Sequence, residues 1–179
     1  MIVATGKDRG SLTANNHLFD GVVFTQGTVP LEHHGGSGLL RIQDCLVDAE
    51  YHTLYFYGGE VQVTDTILQD SRPTGAAQGS HVGNLYGPCK TTFLRCVFRK
   101  VAGTVTGNSF CQLRIEDRGS SFGTDGYNTG RWSPGAIEAL FESCDFIGSP
   151  VGTHGSIVAL SNGRASWCVK SLKYTRCNI

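Results

Sequence analysis

Two aspartates, Asp44 and Asp65, hold the same place in neighbouring copies of a short repeat and could carry out chemistry together. Paired carboxylates on one face, several ångströms apart, can cleave glycosidic bonds. The next copy has Arg95 at this place, and we expect Arg95 to pair with Asp65 and leave no free carboxylate for catalysis. Aspartate is also favoured in turns for conformational reasons. The sequence therefore predicts a structural role here and no catalytic residue.

A long loop-like segment near 119–135 holds the second set of candidates, Tyr127, Arg131 and Trp132. Aromatic and arginine side chains on an exposed loop are typical of a surface that recognises sugar or protein. The alternative is that the loop packs on the flank of the domain, with Trp132 filling a gap. We keep both interpretations, and the three residues are candidates for surface recognition.

The seven cysteines and six histidines show no spacing typical of a metal site. We expect most cysteines to be buried free thiols that act as small apolar side chains. Such thiols suit assembly in a reducing cytoplasm. His33 and His34 would point to opposite sides of an extended chain, and residues 32–36 are predicted to form a solvated turn. The glycines match no phosphate-binding loop, so the sequence predicts neither metal nor cofactor.

The overall composition favours an all-β chain and argues against two kinds of partner. Glycine accounts for 24 of 179 residues, against a usual share of roughly 7%, which is typical of folds with many tight turns. Fifteen basic residues balance fifteen acidic ones, so nothing in the charge favours nucleic acid or an anionic membrane surface. The apolar runs are far too short to span a bilayer, and the N-terminus does not resemble a signal peptide.

Six hexapeptides align without gaps and predict the elements that position all these residues. They cover 19–24, 42–47, 63–68, 93–98, 141–146 and 174–179. Positions one and six are apolar. Position four is small or medium-sized and can be buried: Val22, Cys45, Thr66, Cys96, Cys144 and Cys177.

Positions one and four are three residues apart, so simple alternation would place them on opposite faces of a strand. One residue in the left-handed αL conformation between them would return both to the same side. Position three is the natural site for it. The residues at position three are Gly21, Asp44, Asp65, Arg95, Ser143 and Arg176. The hexapeptide is therefore predicted to be a strand, a one-residue corner and a second strand.

Spacing between the repeats predicts a solenoid. Cys45 and Thr66 are 21 residues apart, which suits one coil, whereas the 48 residues between Cys96 and Cys144 predict two coils. The pattern resembles the pectin-lyase-like family, whose coils often carry an apolar–x–(Asn/Asp)–(Cys/Ser/Thr)–x–apolar stretch at one corner. This resemblance implies an all-β fold, a right-handed, single-stranded parallel β-helix (solenoid) of about seven coils. We expect residues 1–11 to be an N-terminal extension and residues 12–179 to form the β-helix domain.

Position five of the hexapeptide should face outward. In the first four copies it is apolar, and stacked coils would join these residues into a continuous stripe. We call it the outer stripe, and its members are Val23, Leu46, Ile67 and Val97. Because a monomer normally avoids such a patch, the stripe predicts a subunit interface, with loops of the same chain as the alternative cover.

Proteins of the pectin-lyase-like fold include polysaccharide lyases and hydrolases, bacteriophage tailspikes and other virion proteins. The predicted function is a non-enzymatic structural protein of a bacteriophage virion, such as a decoration, tail or spike component. We expect it to be assembled in the host cytoplasm as a homo-oligomer, with a trimer favoured, and to bind other virion proteins and host-surface carbohydrate. The alternative is a β-helix that binds or degrades polysaccharide, or a fragment of one.

Overall fold

The computed structural model describes residues 2–5, 11–12, 18–27, 31–49, 53–70, 83–86, 89–100, 110–116, 137–147, 155–161 and 169–178. These residues form sixteen strands and no helix. All pairings between the strands are parallel. The fold is therefore all-β, and its parallel sheets are consistent with the β-solenoid that the sequence predicts.

Six strands form the first sheet, called sheet A, and each lies beside the equivalent strand of the next coil. In spatial order they are Ile2–Thr5 (β1), Val22–Gly27 (β4), Leu46–Ala49 (β6), Ile67–Asp70 (β8), Val97–Lys100 (β11) and Asp145–Ile147 (β14). Strand β1 lies within the segment that the sequence predicts as an N-terminal extension, and it pairs with β4 over its whole length.

The other ten strands form sheet B. They are Ser11–Leu12 (β2), Leu18–Asp20 (β3), Leu31–Gln43 (β5), Leu54–Thr64 (β7), Gly83–Tyr86 (β9), Cys89–Leu94 (β10), Phe110–Glu116 (β12), Ile137–Glu142 (β13), Gly155–Ser161 (β15) and Val169–Thr175 (β16). The sheet branches because β5 and β7 are long, so that different parts of each strand pair with different neighbouring strands. The first half of β7 pairs with β9 and the second half with β10. Gly59, with a φ of 76°, is the first residue of the second half and pairs with Cys89.

Two sequence predictions are wrong. Residues 32–36, predicted as a solvated turn, lie inside β5, whose pairing with β7 shifts register between His34 and Leu39. An extended backbone with a register irregularity accommodates the glycine-rich stretch without a turn. The 48-residue interval was expected to hold two coils, but β10 pairs directly with β13 and β11 with β14. The interval is therefore a single coil, and the extra length belongs to insertions.

The predicted corners are confirmed at all six positions. Gly21 has a φ of 64°, and the five other corner residues have φ between 50° and 54°. Non-glycine residues rarely adopt this conformation, so a periodic series of them reflects a constraint of the fold. The constraint is the reversal of side-chain alternation that brings positions one, four and six onto the same, inner side.

Those three inner positions form the core. Ile42, Val47, Val63 and Leu68 fill it with aliphatic side chains in the middle coils, and all four are fully buried. Further along the solenoid the same positions become aromatic. Phe93 stacks on Phe141 at 5.0 Å between ring centroids, Phe141 on Tyr174 at 4.9 Å, and Phe98 on Phe146 at 4.9 Å. Like residues therefore stack on like residues, coil over coil.

Candidate functional site: the outer face of sheet A

Each corner sends two neighbouring residues to opposite sides of the sheet. The backbone N–H of the corner residue donates to position two of the next coil, as from Asp65 to the Leu94 carbonyl (2.9 Å) and from Arg95 to the Glu142 carbonyl (2.9 Å). Position five donates back to position four of the preceding coil, as from Val97 to the Thr66 carbonyl (3.0 Å). Continuous hydrogen bonding through the bend fixes which side chains point inward and which point outward.

The inner side chains at position four do more than fill space. The single S–H of Cys96 is shared between the Val63 carbonyl of the preceding coil (3.3 Å) and the Leu94 carbonyl of its own coil (3.5 Å). Cys45, Cys144 and Cys177 make the same two kinds of contact. Thiols thus supply weak donors to the carbonyls that surround the bend.

The predicted burial of the cysteines is confirmed for those whose side chains the structure describes. Cys45, Cys89, Cys96 and Cys144 are buried free thiols, and Cys177 is half-buried. Desolvation by burial raises the pKa of Cys89 to about 12, and it also raises the pKa of Cys45. These two thiols therefore stay protonated at neutral pH. The sequence interpretation as small apolar side chains missed the donor role, although the frequency of Cys and Thr at position four was its signal.

The outer stripe is a single column in the structure. Val23 is the register partner of Leu46, Leu46 of Ile67, and Ile67 of Val97. All four side chains are half-buried, whereas the inner residue beside each is buried. The column continues into Asp145, the partner of Val97. The structure thus brings the four predicted interface residues together, and the apolar character ends at Asp145. Coils are numbered by their hexapeptides, so that Leu46 lies on the second coil, Val97 on the fourth and Asp145 on the fifth.

Charged side chains flank the stripe on both sides. On the corner side lie Asp44, Asp65 and Arg95, all exposed. Two residues beyond the stripe, Asp48 pairs in register with Gln69, and Gln69 with Arg99. The Gln69 amide is buried, and its oxygen accepts a hydrogen bond from Arg99 Nε at 2.6 Å. The outer face of sheet A is therefore an apolar strip between a charged row at the corner and a second row in which Gln69 separates Asp48 from Arg99.

The predicted pairing of Arg95 with Asp65 is present in the structure. Arg95 Nε donates to Asp65 Oδ1 at 2.6 Å, and Nη2 donates to Oδ2 at 2.5 Å. These bonds lower the pKa of Asp65 below its ordinary value, because Arg95 stabilises the charged carboxylate. A bidentate arginine contact also fixes the carboxylate in place. Asp65 is therefore unsuited to act as an acid at neutral pH, in keeping with a structural role.

Other carboxylates are likewise joined to basic residues of the next coil. Glu60 accepts a hydrogen bond from Lys90 Nζ at 3.0 Å, and Glu142 accepts one from Arg176. Exposed pairs of this kind contribute little to stability, and each of the two joins a carboxylate of one coil to a basic residue of the next. Among the described residues, no group of three or more His, Cys, Asp or Glu side chains is placed to hold a metal ion.

The three recognition candidates, Tyr127, Arg131 and Trp132, lie outside the described residues, as does the whole segment 119–135. Within the described part of the chain, no helix is long and apolar enough to cross a membrane. No family model matches the sequence, and no curated protein or solved structure matches it.

Proposed function

We propose that this chain is a non-enzymatic structural protein of a bacteriophage virion, and that its outer stripe is a contact between subunits. In this proposal the solenoid is a right-handed, pectin-lyase-like parallel β-helix. A right-handed path is the rule for parallel strands joined by crossovers. Sheet A has six strands and an isolated parallel bridge from Asp145 to Asn178, which supports about seven coils.

The observation that carries the proposal is the outer stripe itself. A parallel solenoid needs alternating inward and outward side chains, and the outward positions gain nothing in the core from being apolar. Four consecutive apolar residues in one outward column form an apolar surface that another part of the protein or another molecule is expected to bury. On this proposal the cover is another subunit, and the assembled particle holds the protein together with other virion proteins, after assembly in the host cytoplasm. The loop with Tyr127, Arg131 and Trp132 would then be free to bind host-surface carbohydrate.

The native mass of the purified chain tests the proposal first. Light scattering or native mass spectrometry should give a multiple of the 19.2 kDa chain mass. The predicted trimer stays a prediction that the same measurement decides. A monomer at all concentrations would contradict the proposed assembly and would direct attention to the carbohydrate-active alternative.

A pair of variants on the fourth coil connects the native mass to the outer stripe. Val97→Asp places a charge in the stripe and should dissociate the oligomer while the far-UV circular dichroism stays unchanged. Thr92→Asp is the matched control, because Thr92 is also half-buried and lies in sheet B on the same coil, on the outward-facing side of its strand. If both variants, or neither, dissociate the oligomer, the interface does not involve the stripe.

A further inference from the structure

The charges beside the outer stripe change sign along the solenoid. At the second coil the stripe residue Leu46 lies between Asp44 and Asp48, and at the fourth coil Val97 lies between Arg95 and Arg99. At the intervening coil, Ile67 lies between Asp65 and Gln69. Because Arg95 is paired with Asp65 of its own chain, the basic end of the face is carried by Arg99 and the acidic end by Asp44 and Asp48. The two ends are about 10 Å apart, since stacked coils are about 4.8 Å apart.

This gradient gives the face a direction, and the direction decides how two copies can meet. In any parallel arrangement with coils at equal height, the acidic coil of one copy faces the acidic coil of its neighbour, and the two basic coils also meet. Like charges across an interface cost free energy and select against that partner geometry. A three-fold assembly of parallel solenoids around the stripe has this arrangement.

An antiparallel arrangement removes the conflict. A two-fold axis that passes through the third coil places Ile67 opposite Ile67 of the second copy. The second coil then faces the fourth, so that Asp48 meets Arg99 and Leu46 meets Val97. A shift by one coil loses this match in either direction. One shift places Asp44 opposite Asp65 of the other copy, and the other places Leu46 opposite Asp145 and Asp48 opposite Ile147. The charges thus specify both the orientation and the register.

We propose that the outer face of sheet A binds a second copy of this chain in antiparallel orientation, about a two-fold axis at Ile67. This inference rests on the proposed function, because it takes the stripe as a contact between subunits. Four half-buried side chains alone offer far less than the roughly 800 Å² per partner of a standard interface. The charged rows must therefore also lie within the contact, and their complementarity governs its geometry.

Cross-linking between two single-cysteine additions tests the orientation. Leu46→Cys and Val97→Cys proteins are prepared separately, mixed, and treated with a short bismaleimide, and the linked peptides are identified by mass spectrometry. An antiparallel pair gives a link between position 46 of one copy and position 97 of the other in the mixture. Each variant alone gives little product, because position 46 then faces the native valine. The unsubstituted chain, treated in the same way, measures the background from its native cysteines.

The outcomes separate this inference from the proposed function. Links from 46 to 46 and from 97 to 97 in the single-variant samples would overturn the antiparallel orientation, while the stripe would remain an interface. A trimeric native mass would overturn the two-fold pair and leave the proposed contact between subunits standing. A monomeric native mass would overturn both.

Charge reversal gives a second measurement that does not depend on added cysteines. Asp48→Arg and Arg99→Asp should each weaken dimerisation about tenfold or more in Kd, and the double variant should recover most of the loss, since the opposite charges meet again. In a parallel assembly position 48 faces position 48 of the neighbouring copy, and position 99 faces position 99. Like charges would then meet in the double variant as in the single variants, and dimerisation would not be recovered. Absence of recovery, with the fold intact by circular dichroism, would therefore also overturn the inference.

Discussion

Positions four and five of the repeat are neighbours in the chain, yet the corner gives them opposite environments. At the fourth coil, Cys96 is 1% exposed and its S–H is shared between two carbonyls, whereas Val97 faces outward and is half-buried. The inner position holds a small or medium-sized side chain, and in every copy except the first, which has Val22, this side chain hydrogen-bonds to the backbone around the bend. In the first four coils the outer position is apolar, although it does not contribute to the core of the solenoid. The inner column therefore determines the fold, and the outer column carries the proposed contact between subunits.

The largest expected effect on stability is the difference between placing an aspartate at position four and placing it at position five of the same coil. Cys96→Asp should unfold the protein, because it places an unpaired carboxylate in a stacked core. Val97→Asp should remain folded, since its carboxylate can reach solvent. Far-UV circular dichroism and soluble yield distinguish the two variants. A soluble, folded Cys96→Asp protein would show that the inner column is wrongly assigned.

The second effect concerns the aromatic stack at positions one and six. Phe141 is fully buried and stacks between Phe93 and Tyr174. Phe141→Ala should lower the free energy of unfolding by about 3–5 kcal/mol, because it leaves a cavity inside the stack. Leu140→Ala is the matched control on the outer side of the same strand and should cost less than about 1 kcal/mol. Urea denaturation measures both, and equal losses would contradict the assignment of the two faces.

The sequence was sufficient for the parts of the molecule that repeat. A residue such as Arg95 has no intrinsic preference for αL, yet its place in the series predicted a positive φ, and the structure gives 52°. The same logic predicted the register of Val23, Leu46, Ile67 and Val97, because a fixed period carries side-chain direction from coil to coil.

The sequence was not sufficient where the period is interrupted. An insertion has no periodic pattern, so the 48 residues after Cys96 could not be distinguished from two coils, and the glycine-rich stretch at 32–36 resembled a turn. The donor role of the thiols was also missed, since it depends on carbonyls of the preceding coil, and their positions follow only from the three-dimensional register. The charge gradient beside the stripe likewise emerged only when the columns were aligned.

A third variant series tests whether position four serves the backbone or only fills space. Thr66 is the one member with a hydroxyl, which donates to the Thr64 carbonyl at 2.8 Å and accepts from the Cys45 backbone N–H at 3.3 Å. Thr66→Val keeps the volume but removes both hydrogen bonds, and it should cost about 1–3 kcal/mol, because buried polar groups lose their partner. Thr66→Cys should cost less, since a thiol occupies this position in the neighbouring coils. Equal stability of the valine and threonine proteins in urea denaturation would show that volume alone matters.

The smallest effect is expected at the corner, where Asp65 and Arg95 pair in solvent. The folded protein lowers the pKa of Asp65 below the ordinary value of 3.8, so the folded state binds this proton less readily than the unfolded state. The stabilisation is therefore present above about pH 4–5 and is lost as the pH falls through the lowered pKa. Asp65→Asn is the appropriate comparison, because asparagine also tolerates the αL conformation. The Tm of the native protein should exceed that of the variant slightly at pH 6 in low salt, and the difference should vanish near pH 2 and shrink in 1 M salt. A difference that persists at pH 2 would mean that the aspartate acts through corner geometry and not through its charge.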